Sequence, residues 1–278
     1  MTVVEGKVIE KVNELEERLV AATPNPFKGK WISILGDSIS TYEGYIPSGN
    51  NTYYPSGDVD DVSKTWWHKL LTKLGAKLCV NESYGGSRIY DSTETSGALQ
   101  RYTNLYRKKG QEYRNLDGTK EVATEDIYPD YIIIMMGIND FINNVELGEF
   151  SPYTVASTTT NVIDCYETII FSIIVSSSEY AKHGANLIIM DTLCAEINGR
   201  FGMIEKNSAT VPYSQYDLNE TIEKLAKKWR IPHINVDQIG VHGGNNGLYT
   251  FDHIHPNTVY MEKLANQCYK EMIASNCL

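Results

Sequence analysis

Short aliphatic runs alternate with longer segments of helical periodicity over most of the chain. The runs are apolar at consecutive positions, which is typical of parallel strands that are buried on both faces. The predicted strands span residues 31–35, 77–80, 131–136, 187–190 and 233–236. The predicted helices span residues 64–74, 155–182, 214–229 and 258–274. This alternation predicts a flavodoxin-like, doubly wound α/β fold of three layers (α/β/α), with a central parallel sheet of about five strands.

The first twenty residues place aliphatic side chains at helical spacing, namely Val4, Val8, Val12, Leu15 and Leu19. Charged residues lie between them, so the pattern predicts an amphipathic helix, which Pro24 and Pro26 end. We expect residues 1–25 to be a helical extension that packs on the main domain or on a second copy of the chain, the latter giving a homo-oligomer. No linker or repeat divides residues 26–278, so we expect one domain there.

Two long segments, residues 41–63 and 90–129, lack a regular pattern. Loops of this length are usually functional lids or disordered insertions. In the second segment we expect at most one helix, over residues 97–109.

The chain of 278 residues carries 25 basic and 35 acidic side chains, which gives a formal net charge of −10. This balance argues against nucleic acid or an anionic membrane surface as a partner, because both require a basic surface. No apolar run approaches the ~18 residues of a spanning helix. The first residues lack the apolar core of a secretion signal, and the five cysteines are scattered without a Cys-x-x-Cys pair. We therefore expect a cytoplasmic location, or secretion if a leader has been removed.

Polar, glycine-flanked segments follow the predicted strands, where ligands bind in an open parallel sheet. They are Gly36-Asp37-Ser38 after the first strand, Gly85-Gly86 beyond the second, Gly137-Ile138-Asn139-Asp140 after the third, and Asp252-His253-Ile254-His255-Pro256 before the last helix.

Ser38, His255 and Asp252 form one candidate set. A serine is a weak nucleophile unless an adjacent base takes its proton. Asp252 precedes His255 by three residues, so one turn can carry an imidazole and the carboxylate that fixes its tautomer. The other interpretation of Asp252 is a cap or a turn residue ahead of the helix that begins near Pro256.

Gly85, Gly86 and Asn139 are candidate donors for an oxyanion. Glycine lets the backbone approach a ligand closely, and an asparagine amide donates without needing a pKa shift. Taken singly, the glycine pair can also be a tight turn, and Asn139 can be the start of a helix.

The four segments, in this order, resemble the conserved blocks of the SGNH (GDSL-type) hydrolase superfamily. The resemblance spans about residues 31–274 and implies that residues 26–278 are an SGNH hydrolase domain. It departs from the family pattern where the first block reads Gly-Asp-Ser-Ile, not Gly-Asp-Ser-Leu, which changes a packing residue and leaves the chemistry alone.

The resemblance assigns roles to individual residues. It implies that Ser38 is the nucleophile, His255 the general base and acid, and Asp252 its orienting carboxylate. The oxyanion hole would comprise the N–H of Ser38, the N–H of Gly86 and the side chain of Asn139. Gly86 is preferred to Gly85 because it stands five residues after Asn81. Asp37 and Asp140 would brace the surrounding loops. No cofactor or metal is implied.

The expected function is a serine esterase that removes short acyl groups, chiefly O-acetyl, from carbohydrate through an acyl-enzyme. Lipases, lysophospholipases and thioesterases of the same superfamily are the first alternative. A metal-dependent phosphoesterase would use Asp37, Asp140, Asp252 and His255 as ligands. A carbohydrate-binding domain without activity is the third alternative.

The abundance of tyrosine favours a carbohydrate substrate. The chain has 19 tyrosines and 6 phenylalanines, and several aromatic residues fall in or just after the first long segment, namely Tyr42, Tyr45, Tyr53, Tyr54, Trp66 and Trp67. A polar aromatic cleft suits a sugar face better than an acyl chain. The two tryptophans can instead begin a core helix.

Overall fold

The computed structural model describes residues 25–90, 96–156, 158–197, 199–206, 208–209 and 212–274. The helix predicted over residues 1–25, and its role in self-association, lie outside the described residues except for Asn25. Asn25 donates its side-chain amide to the carbonyl of Leu74 at 2.9 Å.

The described strands are β1 (Trp31–Gly36), β2 (Lys77–Asn81), β3 (Glu112–Arg114), β4 (Lys120–Val122), β5 (Tyr131–Met135), β6 (Asn186–Met190), β7 (Glu196–Ile197), β8 (Arg200–Phe201) and β9 (His233–Ile234). Five of them form the central sheet, in the order β2-β1-β5-β6-β9, and every neighbouring pair is parallel. The predicted five-stranded parallel sheet is therefore confirmed. Every residue of β5 is buried, which explains its unbroken aliphatic run.

The described helices are α1 (Trp66–Leu74), α2 (Ala98–Arg101), α3 (Ile138–Ile142), α4 (Val162–Ile174), α5 (Glu179–Lys182), α6 (Gln215–Trp229) and α7 (Thr258–Ala274). Helix α1 packs against α7, while α4 contacts α2, α5 and α6, so helices flank the sheet in the expected three-layer arrangement. Trp66 and Trp67 begin α1 and are fully buried. These two tryptophans therefore belong to the core and not to a cleft.

Two helix predictions need correction. The helix predicted over 155–182 is shorter and divided, because Asn161 caps α4 by accepting the N–H of Asp164 and α4 ends before the serines at 176–178. The helix predicted over 97–109 is reduced to α2 and one 3₁₀ turn, Tyr102–Asn104. Beyond that turn Arg107 pairs with Ile127 in extended conformation, which a continuing helix would prevent.

The long segment 90–129 also holds a hairpin that was not predicted. Strands β3 and β4 pair antiparallel, with Tyr113 opposite Glu121. The hairpin lies near the outer edge of β2, where Arg107 donates to the carbonyls of Leu78 and Cys79.

Candidate active site

Ser38 lies directly beyond the carboxyl end of β1, in a short 3₁₀ turn over Ser38–Ser40. Asp37 caps this turn, because its side chain accepts the N–H of Ile39 at 3.0 Å. Asp37 is buried, and burial raises the pKa of its carboxyl group to about 7. Asp37 therefore acts as a brace for the turn that holds Ser38, as the sequence suggested.

A chain of hydrogen bonds joins Ser38, His255 and Asp252. The Ser38 Oγ lies 2.8 Å from the Nε2 of His255, and the Nδ1 of His255 lies 2.7 Å from the Oδ2 of Asp252. The first two of these residues are 217 positions apart in the chain. The fold thus places a hydroxyl, an imidazole and a carboxylate in the order that activates a serine.

A tight turn before α7 sets the geometry of His255. The Oδ1 of Asp252 accepts the backbone N–H groups of Ile254 and His255 at 3.1 and 2.8 Å, and His253 adopts a positive φ of 66°. The Oδ1 of Asp252 therefore holds the turn, while its Oδ2 lies within hydrogen-bonding distance of the imidazole. Asp252 thus holds the turn before α7 and orients the imidazole, whereas the cap of α7 is Asn257, whose side chain accepts the N–H of Tyr260 at 3.1 Å.

The two groups of this turn titrate away from their ordinary values. Burial acts to raise the pKa of Asp252, but hydrogen bonds from the backbone and side chain of His255 outweigh it and hold that pKa below its usual value. Burial lowers the pKa of His255, and the Asp252 carboxylate offsets part of this effect. The imidazole is therefore neutral, and able to accept a proton, at neutral pH.

Tyr53 is a site residue that sequence reasoning did not single out. Its ring stacks on the imidazole of His255, with 3.5 Å between the ring centroids and 9° between the planes. Its hydroxyl donates to the Oδ2 of Asp252 at 3.2 Å. The tyrosine-rich pattern of residues 41–63 was the available signal, although it did not distinguish Tyr53 from its neighbours.

The two adjacent glycines differ in their hydrogen bonding. The N–H of Gly85 donates to the carbonyl of Asn51 at 2.8 Å and is committed to that contact. The N–H groups of Gly86 and Ser38 donate to no acceptor among the described residues. Gly86 has a φ of 83°, a conformation that glycine adopts without strain. The geometry therefore favours Gly86 over Gly85 as a donor to a ligand.

Asn139 lies in the first turn of α3, beyond the carboxyl end of β5. Its Nδ2 donates to the carbonyl of Ser87 at 2.9 Å, which holds its amide beside the loop that contains Gly86. An amide carries a second N–H, which is available to a ligand. The neighbouring carboxylate of Asp140 accepts the N–H groups of Ile89 and Tyr90 at 2.8 and 2.9 Å, and burial raises its pKa to about 7.

Arg101 is a second residue that the sequence did not reveal. It is buried, and its guanidinium donates to the carbonyl of Gly36 at 3.1 Å, to the Oγ of Ser87 at 2.6 Å and to the carbonyl of Glu82. One side chain thus connects the end of β1 with both ends of the loop that follows β2. A basic residue in a single helical turn has too little periodicity around it to mark it as buried.

The described residues form neither a cluster of metal ligands nor a membrane-spanning helix. No group of three or more His, Cys, Asp or Glu side chains is arranged there to hold a metal ion. In the same part of the chain, no helix has the length and apolar character needed to span a bilayer.

Comparison with known proteins identifies the family to which the chain is similar. The sequence profile of the GDSL-like lipase/acylhydrolase family matches residues 30–272. No curated protein matches the chain.

Solved structures resemble the chain over most of its length. A candidate GDSL-like lipase from Bacteroides ovatus is 22% identical, with a TM-score of 0.58 over 88% of this chain and 98% of its own. A similar candidate from Bacteroides uniformis is 20% identical, with a TM-score of 0.55 over 87% and 94%. An acetyl-xylooligosaccharide esterase from Geobacillus Stearmophilus is 15% identical, with a TM-score of 0.52 over 90% and 96%. At these identities the likeness shows the fold alone.

The fold and the family match together define an ester hydrolase with a three-layer α/β/α architecture. The chain belongs to the GDSL-like lipase/acylhydrolase family, as the resemblance in its sequence predicted.

Proposed function

We propose that the chain is a serine esterase that removes short acyl groups, chiefly O-acetyl, from carbohydrate. The observation that carries the proposal is the hydrogen-bonded chain from Ser38 through His255 to Asp252, at 2.8 and 2.7 Å. In this proposal Ser38 is the nucleophile, His255 the general base and acid, and Asp252 the residue that orients the imidazole.

The reaction proceeds through an acyl-enzyme. As the Ser38 Oγ attacks the ester carbonyl carbon, its proton passes to the Nε2 of His255. The C–O bond to the alcohol then breaks, and His255 returns the proton to the leaving oxygen. Water attacks the acyl-serine, gives a proton to His255, and the acid departs as Ser38 regains its hydrogen.

Three donors stabilise the oxyanion that forms in both steps. They are the N–H of Ser38, the N–H of Gly86 and the free N–H of the Asn139 amide. The two backbone groups lack acceptors among the described residues, which suits groups whose partner is a substrate.

The choice of a short acyl group on carbohydrate is supported by the polar aromatic surroundings of His255. Tyr53 covers one face of the imidazole, and its hydroxyl lies on Asp252. A tyrosine presents an apolar ring and a polar tip, which matches a sugar better than an alkyl chain. The same fold carries an acetyl-xylooligosaccharide esterase, which agrees with this choice.

A parallel assay tests the proposal. Acetylated oligosaccharides, acyl thioesters and lysophospholipids are compared, together with p-nitrophenyl esters from acetate to decanoate. We expect the acetate ester and the acetylated sugars to be cleaved fastest. Faster cleavage of the longer chains, or of lysophospholipid, would assign the protein to the lipase alternative.

Two controls address the mechanism. Ser38→Ala should lose about 10³-fold or more of kcat, whereas Ser177→Ala, at an exposed serine, should retain activity. Activity that is lost in EDTA and restored by Mn²⁺ or Zn²⁺ would contradict the serine mechanism and favour metal-assisted phosphoester hydrolysis. Wild-type protein inactive on every ester would favour a binding domain.

A further inference from the structure

A cavity of about 800 Å³ lies along the outer edge of β2. Neither Ser38 nor His255 lines it. Its walls come from residues 43–52, from β2 and the adjoining Glu82, and from residues between Asn104 and Lys120 that include the β3–β4 hairpin. A volume in this range is typical of sites that hold small ligands (~300–1,000 Å³).

Glu82 lines this cavity and has one carboxylate oxygen that is buried and unpaired among the described residues. The residue is 5% exposed, and its Oε1 accepts the Asn104 amide at 3.4 Å. Its Oε2 is buried and has no hydrogen-bond partner among the described residues. A buried carboxylate oxygen without a donor is costly, so this atom is suited to a ligand that brings an O–H or N–H group.

The other groups of the cavity indicate a ligand without charge. Three of the acidic and three of the basic side chains of the protein line it, so their formal charges cancel: Glu43, Glu82, Glu112, Lys108, Arg114 and Lys120. Glu112 and Lys120 also form an ion pair at 2.7 Å. The lining also includes tyrosines and amides, namely Tyr45, Tyr106, Tyr113, Asn50, Asn81, Asn104 and Gln111. Aromatic faces with neutral hydrogen-bonding groups suit a polyhydroxylated ring.

A peptide strand added to the edge of β2 fits this cavity poorly. Arg107 already donates to the carbonyls of Leu78 and Cys79, at 2.7 and 2.8 Å, and these are acceptors that an added strand would need. The Arg107 guanidinium is fixed there, because it packs over the rings of Trp31 and Tyr113.

The cavity adjoins the candidate active site through one short segment. Thr52 lines the cavity, and the next residue, Tyr53, stacks on His255. Asn50 also lines the cavity and donates to the carbonyl of Ser83, in the loop that leads to Gly86. The cavity and the candidate active site therefore share one wall, the segment from Asn50 to Tyr53.

We infer that this cavity binds a neutral carbohydrate chain, with a sugar hydroxyl donating to the Oε2 of Glu82. The inference deepens the proposed function and rests on it for the identity of the substrate as a carbohydrate. The cavity holds sugar units that are not themselves deacylated, beside the units that reach Ser38.

Isothermal titration calorimetry tests the inference with sugars that carry no ester. The probes are cellotetraose, xylotetraose and maltotetraose, with tetragalacturonate as a charged comparison. We expect at least one neutral probe to bind with a Kd of about 1 mM or tighter. No neutral binding at that level, or binding of the charged probe alone, would overturn the inference.

Three variants locate the binding. Ser48→Trp, at an exposed serine in the wall of the cavity, fills the space, and Glu82→Gln removes the charged acceptor. Each should weaken binding at least about tenfold. Ser177→Trp makes the same change at an exposed serine outside the cavity and should bind like wild type. Unchanged binding by folded Ser48→Trp would overturn the inference even if Glu82→Gln did not fold.

The outcome is separable from that of the proposed function. Binding of unmodified sugar requires no hydrolysis, so it can be measured on Ser38→Ala as well as on wild type. Sugar binding without esterase activity would contradict the proposed reaction alone, and acetylesterase activity without sugar binding would contradict the cavity assignment alone.

Discussion

The ring of Tyr53 lies flat against the imidazole of His255, 3.5 Å away between centroids, while its hydroxyl donates to Asp252. One side chain thus restrains both the proposed base and the carboxylate that orients it. The contact spans 199 positions between Tyr53 and Asp252, so it depends on the completed fold.

Replacement of Tyr53 should separate the effects of its ring and its hydroxyl. Tyr53→Leu removes the stacked ring, so we expect kcat for p-nitrophenyl acetate to fall about 10- to 100-fold, with a smaller change in KM, because the imidazole loses its orientation. Tyr53→Phe keeps the ring and should lose less.

Loss of the Tyr53 hydroxyl should instead change the pH dependence of kcat. Without its hydrogen bond, the Asp252 carboxylate attracts the imidazolium more strongly, so the pKa seen in kcat should rise in Tyr53→Phe. Tyr153→Leu, at an almost fully exposed tyrosine, is the matched control. Equal, wild-type rates in both Tyr53 variants would assign the residue a packing role only.

Asn139→Ala should lower kcat about 10²- to 10³-fold, the usual loss for one oxyanion donor. KM should change little, because the donor acts mainly on the transition state. Asn186→Ala removes an exposed amide at the start of β6, away from the candidate site, and should be nearly silent. Steady-state kinetics on an acetate ester measure both, and an unchanged kcat in Asn139→Ala would remove this residue from the oxyanion hole.

The pH dependence of kcat/KM follows from His255. Only the neutral imidazole accepts the serine proton, so activity should rise with pH through the pKa of this residue. Burial lowers that pKa, so the midpoint should fall below the usual 6.5. Asp252→Asn removes the charge that favours the imidazolium and should move the midpoint lower still. A midpoint above 6.5 in wild type would contradict the described environment.

Arg101→Met should destabilise the protein by about 3 kcal/mol, because it removes the buried donor of the hydrogen bonds to the carbonyls of Gly36 and Glu82 and to the hydroxyl of Ser87. Arg101→Lys keeps the charge but not the planar fork, so it should recover only part of this loss. Urea unfolding measures the difference, with Lys109→Met as an exposed control. Equal stability of wild type and Arg101→Met would mean that these acceptors find other donors.

The sequence predicted the parts of the molecule whose periodicity reports burial directly. Strand β5 is an aliphatic run, and α7 spans the same residues that its apolar spacing indicated. The candidate site could be predicted for a different reason. Ser38, Gly86 and Asn139 follow strands whose carboxyl ends meet at one edge of the sheet, and Asp252 and His255 stand together in the turn before α7.

Other parts depend on contacts that no local pattern records. Arg101 is buried because its guanidinium donates to acceptors at the end of β1 and in the loop after β2. The helix predicted over 97–109 stops short of Arg107, which pairs with Ile127. The β3–β4 hairpin is different. Asp117-Gly118 between two short polar-aromatic runs is a hairpin signal that was present in the sequence.

The buried carboxyl groups around the strand ends set the conditions under which the molecule can work. Asp37, Glu82 and Asp140 each have a pKa near 7, raised by burial from values near 4. Their contribution to folding is complete below about pH 4 and fades as pH rises through about 7. The depressed pKa of His255 meanwhile keeps the base unprotonated into weak acid. Mild acid thus favours these buried carboxyl groups in the folded chain and still leaves His255 neutral, whereas ionised Glu82, the acceptor inferred for the cavity, requires a pH above about 7.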